Sequence, residues 1–280
     1  MLEFIFSSPP VPPDEEVVAP TYVKLIWEVQ RAFDWAHSFH RTVYDIYASD
    51  AVQDKDAAIR RALADFLAKP DAITSHRLDH HGTLWGFPES KSFRDKFRKF
   101  NTQIWAYHWL QGAVYDVQLL GNVDRQRELM PRLIEFYHGY LRNPPVHWDF
   151  MPLVTEASPE FSARFPDLAA IFDNLHMLHD NIDDVLSRPD LYPTLKDKRI
   201  AILRILPIYL HLNHEPEDRF VSYHATGAGG HGMMEQAGPR PPTAREVIAG
   251  PVEGNHQGSP EGQTDGDHGQ HGGNEPCDPC

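Results

Sequence analysis

Three separate stretches of the chain repeat one spacing of polar residues. In each, an apolar residue precedes a histidine by four positions, a second polar residue follows that histidine at three, and an aspartate follows it at eight. The sets are Phe33, His37, His40 and Asp45; Ile104, His108, Gln111 and Asp116; and Phe172, His176, His179 and Asp184. On an α-helix these steps stay on one face, which in a core helix is normally apolar. The sequence therefore predicts three helices that direct imidazole and carboxylate groups toward a shared interior.

Charge and cysteine content narrow the class of protein. The chain has 280 residues, enough for one large domain or two small ones with a sizeable core. Its formal net charge of -14 argues against nucleic acid as a partner, because phosphate binding needs a basic surface. The only cysteines, Cys277 and Cys280, favour a reducing compartment over a disulfide-stapled secreted domain.

Neither a signal peptide nor a membrane span is predicted. Residues 1–13 lack the basic start and long apolar stretch of a signal peptide. The longest apolar run, 200–212, contains Arg204 and is too short to cross a bilayer. We therefore expect a soluble cytoplasmic protein without a membrane partner.

Periodicity predicts an all-α fold, a multi-helix bundle with long helices and a disordered C-terminal tail. No run alternates at period two for long enough to indicate a strand. We expect a proline-rich lead-in over 1–20, a helical catalytic domain over 21–235 and a disordered His/Gly-rich tail over 236–280. The predicted helices cover 21–48, 54–67, 91–120, 124–142, 159–187 and 195–212, and the segment 74–90 is rich in turns.

The histidines on these helices have three explanations. A single buried histidine bonded to an aspartate is a common structural device, and a bundle built on such pairs could be an interaction protein without chemistry. Repetition on three helices favours a metal or cofactor, since buried imidazole and carboxylate are costly unless paired or ligated. A non-haem centre of iron or another divalent metal is one possibility. Against the ferritin-like type, Glu-x-x-His occurs once among the predicted helices, from Glu135 to His138.

Haem is the other possibility, because the histidine-bearing helices are unusually aromatic. Three features add a resemblance. Phe33 precedes His37 by four, the stretch Trp85-Gly86-Phe87-Pro88-Glu89-Ser90 is followed by Arg94, and His214 is followed by a glycine-rich stretch over 225–230. In this order they resemble the tryptophan 2,3-dioxygenase-like haem-dependent aromatic oxygenases. By size, the chain is most similar to the histidine-ligated haem tyrosine hydroxylases of that superfamily.

That resemblance implies roles for individual residues. His214 would be the axial ligand of haem b, with His179 as the second choice. His37, His40 or His108 would be the distal acid or base. Arg94 would pair with the substrate carboxylate, and Thr226 and Gly227 would close over the ammonium end.

The resemblance also implies a reaction class and partners. The substrate would be a small aromatic amino acid of the tyrosine or tryptophan type, oxidised with dioxygen or peroxide, and a homodimer is favoured over a monomer. The alternative remains a non-haem metal enzyme or metal-handling bundle. Its ligands would come from His176, His179 and His214.

Overall fold

The regular elements in the described part of the chain are all helices, apart from one isolated bridge between Ile73 and Leu210. The computed structural model describes residues 15–143, 151–211 and 242–249, which form thirteen α-helices and no strand. The helices are α1 (Glu15–Val18), α2 (Pro20–Leu25), α3 (Trp27–Ala48), α4 (Lys55–Leu67), α5 (His80–Trp85), α6 (Ser92–Lys96), α7 (Arg98–Gln118), α8 (Val123–Arg142), α9 (Val154–Ala157), α10 (Pro159–Arg164), α11 (Pro166–Leu186), α12 (Leu195–Tyr209) and α13 (Ala244–Ala249). The predicted all-α class is confirmed for these residues.

Several predicted helices are divided in the structure. The helix predicted over 159–187 is interrupted at Phe165, whose ψ of 67° is not helical. Pro166 follows and disfavours a helical conformation at the residue before it, which explains this break. The helix predicted over 91–120 is likewise interrupted at Phe97, where φ is -128°. Two long predicted helices therefore become four elements.

Helix α11 is the centre of the fold. Fifteen of its 21 residues are buried, which is typical of a helix enclosed on nearly all sides. It contacts α3, α5, α6, α9, α10 and α12. Helices α3 and α7 also contact each other. The three long helices α3, α7 and α11 therefore meet inside the bundle. These are the helices that carry the repeated histidine spacing.

A short C-terminal segment is packed on the bundle. The carbonyl of Pro242 accepts a hydrogen bond from Trp109 Nε1 at 2.7 Å, and the carbonyl of Ile248 accepts one from Arg132 Nη1 at 2.9 Å. Ala244 and Val247 of α13 are buried. The prediction of a disordered tail over 236–280 therefore does not hold for residues 242–249.

The two ends of the chain also bear on the predicted domain bounds. Residues 236–241 and 250–280 lie outside the described part of the chain, and so do residues 1–14. The predicted lead-in over 1–20 already contains helix α1. None of the described helices is both long and apolar enough to cross a membrane.

Candidate functional site

The repeated spacing brings five imidazoles together inside the bundle. We call His37, His40, His108, His176 and His179 the histidine cluster. The ring centres of His108 and His176 are 3.9 Å apart, and those of His37 and His179 are 6.2 Å apart. His40 lies edge-on to His176, with 6.4 Å between the ring centres. The three helices thus supply one continuous group, as their shared periodicity predicts.

The aspartates of the repeat are not part of this cluster. Asp45 forms an exposed ion pair with Arg41, at 3.1 Å. Asp116 accepts a hydrogen bond from the backbone N–H of Phe161 at 2.8 Å, at the start of α10. Eight residues is more than two helical turns, so each aspartate lies beyond the point where the three helices meet.

The carboxylate of the cluster is Asp173, which the sequence did not single out. Its Oδ1 accepts hydrogen bonds from Val154 N–H at 2.8 Å and from His108 Nε2 at 3.2 Å. His108 therefore carries its proton on Nε2, and its buried Nδ1 has no partner among the described residues. Asp173 stands three residues before His176, a spacing that could have indicated a shared helix face.

His40 is held by aromatic residues. Tyr115 Oη lies 2.8 Å from His40 Nδ1, within hydrogen-bond distance. The ring stacks on Phe172 with 3.3 Å between the ring centres. His40 Nε2 is buried and has no partner in the described part of the chain. Together with His108 Nδ1, two ring nitrogens of the cluster are thus unsatisfied.

His176 uses both ring nitrogens. Nδ1 donates to the carbonyl of Phe172 at 2.7 Å, and Nε2 lies 3.0 Å from Oε1 of Gln111, whose amide oxygen and nitrogen can exchange places by a half-turn of the amide. A neutral imidazole has only one N–H, so Gln111 must direct its NH₂ group toward Nε2. Gln111 stands at the second polar position of the repeat, and the structure gives it this role.

Burial makes these histidines poor bases. Removal from water, the largest cause, lowers the pKa of His40 and of His176 well below the usual value, and neighbouring imidazoles lower both further. Burial also lowers the pKa of His37, and it lowers that of His179 to about 3, in both cases below 6.5. These four side chains are therefore neutral at pH 7.

The packing of the rings decides what the cluster can hold. Phe33 and His179 stack in parallel with 3.9 Å between ring centres, and His108 and His176 are equally close. Rings at this separation are in van der Waals contact, so a porphyrin has no slot between either pair. An axial histidine ligates haem through a nitrogen at the edge of its ring, so His179 as a haem ligand stays a prediction.

The described residues also contain no group of three His, Cys, Asp or Glu side chains placed to hold a metal ion. The predicted ligand His214 and the substrate residues Thr226 and Gly227 lie outside those residues. The haem and metal assignments therefore stay predictions.

A cleft next to the cluster contains charged residues of both signs. We call it the Arg94 cleft, and its wall includes Trp85, Lys91, Arg94, Asn101, Trp105 and Asp180. Trp85 and Arg94 come from the stretch that carries the family resemblance, and the structure places them on one wall. Asn101, Trp105 and Asp180 were not identified as cleft residues from the sequence, because they come from two other helices, α7 and α11.

Asp184 holds the wall of the cleft in place. Its two carboxylate oxygens accept hydrogen bonds from the backbone N–H groups of Lys91 and Phe93, each at 2.8 Å. Lys91 has a left-handed backbone, with φ of 68°, and its ammonium lies 4.4 Å from the centre of the Trp85 ring. The last aspartate of the repeat thus anchors α6 to α11.

Carboxyl groups in and near the cleft are partly or fully buried. Asp180 accepts a hydrogen bond from Trp105 Nε1 at 3.1 Å, and burial followed by the charge of Asp183 raises the pKa of Asp180. Burial raises the pKa of Asp183 to about 7. It raises that of Asp184 to about 6, although two N–H groups act in the opposite direction. At neutral pH Asp183 and Asp184 therefore lie close to a change of charge.

The cleft and the cluster share one helix interface. Trp105 and His108 are three residues apart on α7, and His176 and Asp180 are four residues apart on α11. Residues at these separations lie on adjacent turns of one face. A ligand in the cleft would therefore lie one helical turn from the histidines.

Comparison with known proteins adds no relative. No family model matches the chain, and no curated protein or solved structure does either. A function can therefore be argued only from these residues and their arrangement.

Proposed function

We propose that the protein is a haem-dependent oxidoreductase, an oxygenase or hydroxylase, that acts on a small aromatic amino acid bound at the Arg94 cleft. One observation carries the proposal. The cleft combines a guanidinium, two tryptophan rings and a carboxyl group, contributed by Arg94, Trp85, Trp105 and Asp180. These are the groups that an aromatic amino acid needs for its carboxylate, its ring and its ammonium.

Arg94 supplies the charge for the carboxylate. Its side chain is only 17% exposed and pairs with Asp95 at 3.2 Å, where the carboxylate is itself 53% exposed. A substrate carboxylate can displace this exposed partner, because the planar guanidinium binds carboxylates through two hydrogen bonds. The surrounding rings of Trp85 and Phe93 exclude water and strengthen that pair.

The haem is assigned to His214 in this proposal, with His179 as the second choice. When bound, haem supplies the oxygen chemistry. The chain's own residues bind the substrate at the cleft and keep water away from it. The neutral imidazoles one turn away can accept or donate hydrogen bonds without adding charge to the interior.

The test combines a spectrum with a binding measurement on the full chain. We expect the purified protein to have a Soret band and to bind L-tyrosine or L-tryptophan by calorimetry. Arg94→Ala should lower that affinity about tenfold or more, a loss of ~1.4 kcal/mol, because the carboxylate loses its partner. Arg98→Ala, a matched change of an exposed arginine nearby, should leave it unchanged. A colourless protein would overturn the haem assignment, and equal affinities of the two variants would overturn the site.

A second candidate is a non-haem metal centre, which the two unsatisfied nitrogens of the cluster favour. His40 Nε2 and His108 Nδ1 are buried without a partner among the described residues, and an unpaired imidazole nitrogen can ligate a metal. A third ligand would require a side chain to move, since no three suitable groups converge in the described residues. Stoichiometric iron, manganese or zinc in a colourless protein would support this function in place of the haem one.

A further inference from the structure

The Arg94 cleft has a small interior that is lined by hydrogen-bonding groups. We propose that it recognises the α-amino-acid head group of its ligand, with Asp180 as partner of the ammonium and with Asn101 and Arg94 as partners of the carboxylate. The inference rests on the proposed function for the aromatic nature of the ligand. It gives the ammonium a partner other than Thr226, which the family resemblance implied.

Asn101 points to a missing hydrogen-bond acceptor. The residue is 3% exposed, and its Nδ2 is buried with no partner among the described residues. Buried amide groups are almost always paired, so an unpaired donor on the wall of a cleft marks the place of a ligand atom. A carboxylate oxygen is a suitable acceptor, and Arg94 on the same wall supplies the matching positive charge.

Asp180 has acceptor capacity to spare. Both oxygens lie near one donor, Trp105 Nε1, at 3.1 and 3.3 Å. A carboxylate can accept about four hydrogen bonds, so most of its capacity remains for an ammonium with three N–H donors. The nearest acidic side chains along α11 are Asp183 and Asp184, which favour a cation at this point. A bound ammonium would therefore lower the repulsion among the three carboxyl groups.

The size of the cleft orients the ligand. The cleft is partly open, and the space available to the centre of a water molecule is about 20 Å³, which admits a few small polar groups. An ammonium or one end of a carboxylate fits this space, whereas an aromatic ring does not. The ring must therefore remain at the mouth, beside Trp85 and Phe93, while the head group enters. This geometry selects for the amino-acid head group and tolerates changes in the ring.

A metal cation is a poorer occupant of the same carboxyl groups. Both oxygens of Asp184 already accept backbone N–H groups, which leaves them poorly placed to ligate. Lys91 and Arg94 border the cleft and would repel a divalent ion. A zwitterion places its ammonium near the acidic side of the wall and its carboxylate near the basic side. A metal ion or a simple anion can match only one of the two sides.

The experiment compares three ligands by calorimetry on the full chain: L-tyrosine, tyramine and 3-(4-hydroxyphenyl)propionate. The last two lack the carboxylate and the ammonium, respectively. We expect each to bind at least about tenfold more weakly than L-tyrosine, since each leaves one partner on the wall unpaired.

Two variants then identify the partners. Asp180→Asn should weaken L-tyrosine about tenfold while leaving the propionate within about twofold. Asn101→Leu should weaken L-tyrosine and leave tyramine unchanged. Asp45→Asn, at an exposed ion pair, is the matched control.

The outcomes separate this inference from the proposed function. If L-tyrosine and the deaminated acid bind equally well to the wild-type protein, the head-group assignment is wrong, even with a Soret band and Arg94-dependent binding. If Asp180→Asn weakens all three ligands alike, Asp180 is structural and the assignment is also wrong. If Asp180→Asn fails to fold, the wild-type comparison of the three ligands still decides. If none of the three ligands binds, the proposed function is wrong, and the inference that rests on it is wrong as well.

Discussion

The histidine cluster and the Arg94 cleft lie one turn apart on the same two helices, yet they treat buried polar groups in opposite ways. The cluster pairs its imidazoles with rings, with the hydroxyl of Tyr115 and with a backbone carbonyl, and burial keeps four of them neutral. The cleft instead gathers charges of both signs, from Lys91 and Arg94 on one side and Asp180 on the other.

The difference comes from what packs against each region. Over the cluster, α3 places Phe33 and His40 in ring contact with α11. Over the cleft, the covering element is the five-residue helix α6, tied to α11 by Asp184. A short helix cannot fill the space that a long one fills, so a gap remains there. The sealed region therefore serves stability, and the open region is the better place for a ligand.

The largest effect should come from breaking the sealed region at Asp173. Asp173→Ala removes the acceptor of two buried donors, Val154 N–H and His108 Nε2–H. We expect the free energy of unfolding to fall by about 2–5 kcal/mol in urea denaturation. Asp45→Ala, at an exposed ion pair, should change it by less than about 0.5 kcal/mol. A similar small change in both variants would show that the cluster is not a sealed network.

Acid should destabilise the cluster more than the cleft. The folded pKa of His179 is about 3, against 6.5 for the unfolded chain, so the unfolded state gains a proton first as pH falls below 6.5. The contribution of this residue to the free energy of unfolding is fully present above pH 6.5, and it is lost progressively as the pH falls to about 3. His179→Phe keeps a ring against Phe33. When the pH falls from 7.5 to 5, its free energy of unfolding should drop by about 2 kcal/mol less than that of the wild type. If urea denaturation shows the same stability difference between the variant and the wild type at both pH values, this prediction is wrong.

The cleft should show the opposite pH dependence. Burial raises the folded pKa of Asp183 to about 7 from 3.8, so the folded state holds the proton longer than the unfolded chain. Ionisation therefore costs stability as pH rises from about 4 to 7. Asp183→Asn should stabilise the protein by about 1–2 kcal/mol at pH 8, allowing for solvent screening, and by nothing near pH 4. Thermal melts at the two pH values measure this difference, and a gain that is equal at both would exclude titration as its source.

The smallest effect should come from Lys91, where the backbone is left-handed. Lys91→Gly relieves the cost of a positive φ but loosens the unfolded chain and removes the contact with Trp85. These terms nearly cancel, and we expect stability to change by less than about 0.5 kcal/mol. A loss above about 1 kcal/mol would mean that the lysine side chain, and not Asp184, holds the wall of the cleft.

The sequence predicted the cluster better than the cleft, for a physical reason. Steps of three and four follow the helical period, so the recurrence of His37, His108 and His176 identified one interior face on three helices. The cleft depends on contacts between distant segments, such as Asp184 with Lys91, which no local spacing encodes. Asp173 was missed although it stands three residues before His176, because its two donors, His108 and Val154, come from other helices.

The fold shows the same limit at its C-terminal segment. Helix α13 has six residues and only two buried apolar side chains, Ala244 and Val247, which is too little for a periodic pattern. Its position is set by partners far away in sequence. One is Trp109 on α7, which lies 133 residues before Pro242.

The docked segment also has a practical consequence for work with shortened chains. A chain cut before Pro242 would uncover the indole N–H of Trp109 and the apolar surface that Ala244 and Val247 cover on α7 and α8. Newly exposed apolar surface promotes self-association. Trp109 is next to His108 in sequence, so the cut would also remove support behind the cluster. A shortened protein is therefore better ended after residue 249 than at the point where the sequence becomes polar.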